Sequence, residues 1–491
     1  VYRPDAVTIT YRDVRRIVAI MRRAGRDVLG GDIQVGVAFD PGAEFSNHPF
    51  RYRDHPELLM GETIRCIDCT ARLHGDPRPF AGFPDGIPDG LPFGRFFGRQ
   101  SRYYLRDMGF DYLWFSNSFG FGRSPYAFGG AGQFFDGERY CAAGNRAVRD
   151  AVLGFWQLFR EECPGPRVEC RGTDFTVGMN LVNHATPYAA LYAGSFNITP
   201  PPNTPWPALT RNHGLALAGY MTQISAYRGD RFPFRFYTTD PWWCNSPWMD
   251  RWERRPHDIY LSTAVTRLDE DGSVQAFNDV KFLSIDTSWG EVPEQIPDEV
   301  IPHIKRAVAF RPDDTPPVLW VFPFTEYHGY TFDEPQRLAE VMVGDLLIQH
   351  ALNVGLPLSG VATVEALLQT RARRPERLAG RVLVSPVPIA GSAWEDALCS
   401  HLAAGGSVLC YGPTDHAGER WLQALNLRHA DPVEGEMPLS LSADPDRYTD
   451  SPAAATIAHH PALSAGGMRE VQAGSGDGST LVLAEIGRAH V

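Results

Sequence analysis

The sequence predicts an α/β protein in two parts: a barrel of parallel strands and helices, cut short at its N-terminus, followed by a smaller doubly wound sheet. Three observations predict it. Amphipathic helices alternate with short, nearly continuous apolar strands, which is the pattern of a parallel sheet covered by helices. Five such strands precede residue 300, and each runs out into polar or acidic residues. After residue 315 the spacing changes and a second strand-helix alternation begins.

Val14, Ile17, Val18 and Met21 fall at i, i+3, i+4 and i+7, a helix stopping near Gly25. A strand from Ile33 to Phe39 ends in Asp40-Pro41-Gly42. Residues 41–98, rich in Gly, Pro, Arg and Phe, read as a long excursion over one end of the fold. A helix around Tyr103 to Met108 leads into the strand Asp111–Asn117. The stripe Val148, Ala151, Val152, Phe155, Trp156, Phe159 is a helix that feeds the strand Arg167 to Thr173. Leu217, Tyr220, Met221 and Ile224 mark another helix, before the strand Phe232 to Thr239. A weaker helix near Ile259 to Val265, the strand Val280 to Ile285 and a helix through Val300, Ile304 and Val308 complete the first part.

In the second part, strands are expected at Val318–Phe324, Leu358–Thr363, Val382–Ser385 and Val408–Tyr411. A helix over 336–354 and another lined by Trp394, Leu398 and Leu402, capped at Gly405-Gly406, separate them. The division is therefore a (β/α)8, TIM-type barrel over 1–314, a flavodoxin-like domain over 315–432, and over 433–491 a poorly patterned start of a further domain. A barrel is favoured over an open sheet because the strand ends carry no Gly-rich phosphate turn and are loaded with carboxylates and tryptophans. Val1 follows no leader, and Ile486 to Val491 resemble a translated sequencing adapter, so the chain reads as an incomplete frame whose cellular location stays open.

Composition narrows the function classes. With 43% hydrophobic and 21% charged residues, the chain has the balance of a folded globular protein. A net charge of −12 argues against nucleic acid or an anionic membrane as partner, since both demand a basic face. No apolar run approaches the roughly 20 residues of a membrane span. Eleven Trp, 18 Tyr and 28 Phe suit a cleft that stacks on sugar rings, and equally a large core. Among 8 cysteines, Cys66-Ile67-Asp68-Cys69 is the one close pair. It lacks a second pair or histidines at matching spacing, so it reads as reduced thiols, with no metal and no organic cofactor expected.

The segments Val382–Pro386, Trp394–Ala404 and Gly405–Leu409 resemble the glutamine-amidotransferase-like second domain of the β-galactosidases of glycoside hydrolase family 42. The order of barrel then flavodoxin-like domain is the same. Asp240-Pro-Trp-Trp243, Pro256-His-Asp-Ile-Tyr260 and Phe324-Thr-Glu-Tyr-His328 resemble large bacterial proteins described as glycosyl hydrolases. The resemblance implies a glycosidase barrel, an oligosaccharide or polysaccharide substrate and a homo-trimer or other homo-oligomer. The adjacent Asn-Glu pair of many retaining barrel glycosidases is not evident at any strand end.

Glycoside cleavage requires two facing carboxyl groups, roughly 5 Å apart for retention and about 6.5–9.5 Å for inversion. The resemblance places them three strands apart. If Val318–Phe324 opens the second domain, the matching pair is Glu44 with Asp240; if it is a barrel strand, the pair is Asp174 with Glu326. Trp242 and Trp243 present faces for the C–H side of a pyranose. Asn117, Asp286, Trp289 and His328 are candidate sugar contacts, and Arg171 is a candidate partner for Glu169 or Asp240. The leading expectation is a glycosidase acting on a terminal sugar, with retention. A carbohydrate-binding or assembly protein on the same fold stays open. An amidotransferase-type hydrolase is disfavoured because Cys399 and Cys410 fall inside a helix and a strand rather than on a strand-to-helix turn.

Overall fold

The structure, a computed structural model, describes residues 9–39, 50, 52–60, 66–116, 118–123, 142–170, 175–199, 212–229, 232–239, 257–284, 295–412, 414, 416–425, 427–433, 435–440, 454–459, 468–473 and 485–486. Helix α1 (Tyr11–Leu29) is entered through a capping box, in which Asp13 N–H donates to Thr10 Oγ1 and Thr10 N–H donates to Asp13. It runs past the expected stop at Gly25 and ends at Gly30, whose φ of 71° is left-handed. Gly25 serves a contact instead of a cap, since a Cβ there would lie 2.8 Å from the Ile33 side chain.

Strand β1 (Gly36–Phe39), helix α2 (Phe93–Met108), strand β2 (Tyr112–Phe115), helix α3 (Asn145–Glu162) and strand β3 (Arg167–Cys170) follow. The three strands pair in parallel in the order β1-β2-β3. Leu113, Phe115, Val168 and Cys170 face α2 and α3, where Phe97, Trp156 and Phe159 close an aromatic core. The two helices pack closely because two glycines of α2 meet the α3 backbone: a Cβ on Gly94 would sit 2.8 Å from Phe155 O, and one on Gly98 2.6 Å from Phe159 O. The excursion after β1 holds two short antiparallel pairs, Leu59–Met60 with Cys66–Ile67 and Arg72–Leu73 with Leu91–Pro92.

Helices α4 (Val177–His184), α5 (Tyr188–Ala193) and α6 (His213–Ser225) lead to strand β4 (Pro233–Thr239). After helix α7 (His257–Thr263), strands β5 (Thr266–Leu268) and β6 (Val274–Ala276) form a hairpin. Strand β7 (Asp279–Ser284) then returns to pair in parallel with β4. The front strands thus fall into two described groups, β1-β2-β3 and β4-β7.

Helix α8 (Gln295–Ala309) packs against α7 and β4 and ends the front part. The rear part comprises β8 (Val318–Phe322), α9 (Phe324–Phe332), α10 (Leu338–Asn353), β9 (Gly360–Thr363), α11 (Val364–Arg373), β10 (Val382–Pro386), α12 (Ala393–Ala403), β11 (Ser407–Tyr411) and α13 (Glu419–Ala424). Its sheet has the order β6-β5-β9-β8-β10-β11, parallel except for β6. The four strands β8 to β11 stand in the doubly wound order 2-1-3-4. The sheet begins earlier in the chain than residue 315, because β5 supplies a parallel neighbour for β9, with Thr266 opposite Gly360. Beyond it, where the sequence shows little pattern, lie β12 (Leu427–Val433), β13 (Gly435–Ser440), β14 (Ala454–His459), β15 (Met468–Ala473) and β16 (Glu485–Ile486). They pair antiparallel, β12 with β15 and β13 with β14 and β16.

Helix α10 carries a buried acid into the start of α4. Asp345 is fully buried and accepts from Gly178 N–H at 2.9 Å. Burial pushes its pKa up to about 7, against hydrogen bonds from Thr176 and Gly178 that favour the charge. The unfolded chain loses this proton near pH 4, the folded chain near 7, so the folded state binds more protons between them. Stability should therefore fall as pH rises across that window, by at most about 1.4 kcal/mol per pH unit from this group. Asp345→Asn should flatten the slope in urea titrations at several pH values. Gly98→Ala should destabilise the chain by about 1–3 kcal/mol despite its better helix propensity, because the clash is with backbone; urea unfolding measures it.

Candidate active site

Alternation along the front strands puts the third residue of each on the face away from the helices: Ala38, Trp114, Glu169, Arg235 and Lys281. Ala38, Trp114 and Glu169 are in register across β1-β2-β3, and Lys281 is opposite Arg235. Its charged members Glu169 and Arg235 are buried, 3% and 2% exposed, whereas Trp114 and Lys281 are half-buried and Ala38 is exposed. Lys281 Nζ donates to Glu169 Oε2, and Arg167 Nη2 donates to Oε1 at 2.6 Å. The Arg235 guanidinium lies 5.0 Å from the centroid of the Trp114 ring, and that of Arg167 lies 5.0 Å from Tyr112's. Tyr112 in turn needs Gly36 opposite it, since a Cβ there would lie 2.3 Å from the ring. The contacts of Lys281 with Glu169 and of Arg235 with Trp114 join the two strand groups around one interior.

Burial opposes the charge on Glu169, but Lys281 and Arg167 outweigh it and hold the carboxyl below its usual range. Glu169 is therefore a neutralised anchor. Arg171, expected as its partner, lies outside the described residues, and the partners seen are Arg167 and Lys281. Arg235 and Lys281 were not singled out from the sequence. The signal was a cation at the third position of each apolar strand, in Pro-Phe-Arg-Phe and Asp-Val-Lys-Phe.

Most predicted site residues follow the front strands directly in sequence: Glu44 after β1, Asn117 after β2, Arg171 and Asp174 after β3, Asp240, Trp242 and Trp243 after β4, Asp286 and Trp289 after β7. All of these lie outside the described residues. Glu326 and His328 are described, and both sit on α9, behind β8. Because β8 pairs with β9 and β10 in the rear sheet, Glu326 follows a rear strand. The count that pairs Asp174 with Glu326 needs β8 among the front strands, and that is not the arrangement seen. Burial raises the Glu326 pKa, and the charge of Glu365 adds to this. His328 accepts from Ala189 N–H at Nε2, 3.1 Å, and its Nδ1 faces Phe324 O at 2.6 Å. Both ring nitrogens are occupied by backbone, burial lowers the pKa to about 4, and the ring is neutral with no donor left for a sugar hydroxyl.

Of the cavities elsewhere, two border the strands at issue. One of about 480 Å³ is walled by Phe39, Phe50, Phe80, Phe93, Phe97 and Tyr104, on the helix side of β1 rather than over the charged layer. The other, at the carboxyl ends of β8, β10 and β11, is the crevice where a doubly wound sheet binds ligands. It measures about 20 Å³, being filled by Tyr327, Tyr330, Trp394 and Tyr411. Among the described residues, one group could hold a metal: His55, Glu57 and His74, with ligand atoms within 4.8 Å of one another. Cys69 instead donates its thiol to Gly122 O.

Replacing Glu169 with Leu should cost about 3–5 kcal/mol, because Lys281 and Arg167 lose their counter-charge in a buried layer. Adding Lys281→Met should recover part of the loss, and urea unfolding of the single and double variants tests this.

No family model and no curated protein matches the sequence. Among solved structures, the β-galactosidase from Bacillus circulans sp. alkalophilus is similar over 99% of this chain and 76% of its own, at 13% identity and a TM-score of 0.47. A catalytic mutant of a GH42 β-galactosidase from G. stearothermophilus is similar over 98% of this chain and 74% of its own, at 11% identity and a TM-score of 0.42. Along nearly its whole length, this chain is similar in structure to GH42 β-galactosidases.

Proposed function

We propose that the chain is a glycosidase that cleaves a terminal sugar with two carboxylates and retains configuration. In this reading, the front strands belong to a (β/α)8 barrel, and the rear sheet is a flavodoxin-like, amidotransferase-type domain. One observation carries it. Parallel front strands share a charged and aromatic interior layer, and acids and tryptophans follow in sequence just past that layer on strand after strand. The carboxyl ends of such strands are where barrel enzymes do their chemistry. Glu44 and Asp240 remain as the carboxylate pair consistent with β8 lying in the rear sheet, and Asp174 is their neighbour past β3. Trp242 and Trp243 would stack on the sugar, with Asn117, Asp286, Trp289 and Arg171 as further contacts. Neither a metal nor an organic cofactor is needed, since a proton donor and a nucleophile suffice. The filled crevice of the rear sheet favours a structural role there, in keeping with a trimer.

A second reading, carbohydrate binding without turnover, is favoured by the ion-paired state of Glu169, the buried carboxylate of the front layer. Release of chromophore from aryl glycosides decides between them. Asp240→Asn and Glu44→Gln should each lower kcat at least about a hundredfold, and Glu326→Gln should leave it within about twofold. Sugar binding by the parent chain with no turnover would establish the second reading; equal activity in all variants would remove Asp240 and Glu44 from the chemistry.

A further inference from the structure

The excursion after β1 contains a histidine-carboxylate cluster that the proposed glycosidase reaction does not use. His55 is fully buried between the ring of Phe50 and that of His74, each centroid 4.6 Å away. Its Nδ1 lies 2.9 Å from Glu57 Oε1, and His74 Nδ1 lies 2.9 Å from Glu57 Oε2. Two imidazoles thus aim the same nitrogen at one carboxylate. On its far side, His55 Nε2 lies 3.2 Å from Asp76 Oδ2. Arg78 binds that carboxylate from its backbone N–H, Nε and Nη2, at 2.9, 2.9 and 2.6 Å. These bonds hold Asp76 far below the usual carboxylate range.

We infer that His55, Glu57 and His74 bind a zinc-class divalent cation that clamps the two turns of the excursion together. On the far side of His55, the Asp76 carboxylate, gripped by Arg78, stands where the outer partner of a ligating imidazole stands. The two Nδ1 atoms and the Glu57 carboxylate lie within 4.8 Å of one another, close enough for one divalent ion to reach all three. Two His and one Glu form a known zinc set at about 2.0–2.2 Å per ligand, with water in the fourth place. A ligating His whose other ring nitrogen donates to a carboxylate is the usual outer arrangement of such sites. His74 is exposed, so the ion has a path to solvent. In sequence the site is a repeated pair, His55-Pro-Glu57 and His74-Gly-Asp76, on segments that only this fold brings together.

The test uses the full chain stripped with chelator and dialysed against ZnCl2 alone, with bound zinc measured per chain. One equivalent is expected, together with a rise in Tm and, with Co2+ in place of Zn2+, the visible absorption of a four-coordinate site. His74→Ala, at an exposed position, and Glu57→Gln should lose the equivalent and the Tm rise while keeping the metal-free Tm of the parent. Asp76→Asn should weaken binding about ten- to a hundredfold. Cys66→Ser/Cys69→Ser should bind as the parent does. Less than a tenth of an equivalent in the parent, full retention in His74→Ala, or loss in the cysteine variant would overturn the assignment.

Discussion

A buried carboxylate shared by two cations holds the front of this molecule together. Glu169 takes Arg167 from its own strand and Lys281 from β7, so a single side chain meets two cations and bridges strand groups that share no described backbone pairing. A buried ion set of this kind is costly to break and weakly stabilising against an apolar substitute. Its value is registration, because only one alignment of β3 with β7 satisfies all three charges. The aromatic partners reinforce this: Trp114 lies under Arg235 and Tyr112 under Arg167, with Gly36 clearing room for the Tyr112 ring.

On the opposite side of the same strands the forces are different. Phe39, Phe97, Phe115, Phe119, Trp156 and Phe159 pack at tilted and edge-to-face angles in an aromatic core. A strand four residues long is thus amphipathic in an unusual sense, apolar toward its helices and ionic toward the interior. The ionic face sets fixed charge along the strands whose ends carry the proposed chemistry.

The sequence told much about the elements and less about their partners. The stripe Val148 to Phe159 and the apolar runs at 112, 167, 318, 382 and 408 were readable because burial imposes their periodicity directly. Gly25 misled because its role is tertiary: it accommodates Ile33, and nothing local distinguishes such a glycine from a helix stop. The position of β8 was undecidable from its own residues, since a buried parallel strand looks alike in either sheet. Only its neighbours β9 and β10 assign it, and with it Glu326. His328 looked available because its captors are the main-chain atoms of Ala189 and Phe324, which a sequence does not display.

The hairpin β5–β6 leaves the front strands, completes an edge of the rear sheet, and hands the chain back to β7. During synthesis this ribbon emerges long before β9, the neighbour it must meet. Its strand edge therefore waits uncovered while about ninety further residues are made, at roughly 5–20 residues per second. Such separations slow folding and expose an edge to pairing with other chains. A helper that shields nascent strands would have its greatest effect in that interval, on the turn between Leu268 and Val274.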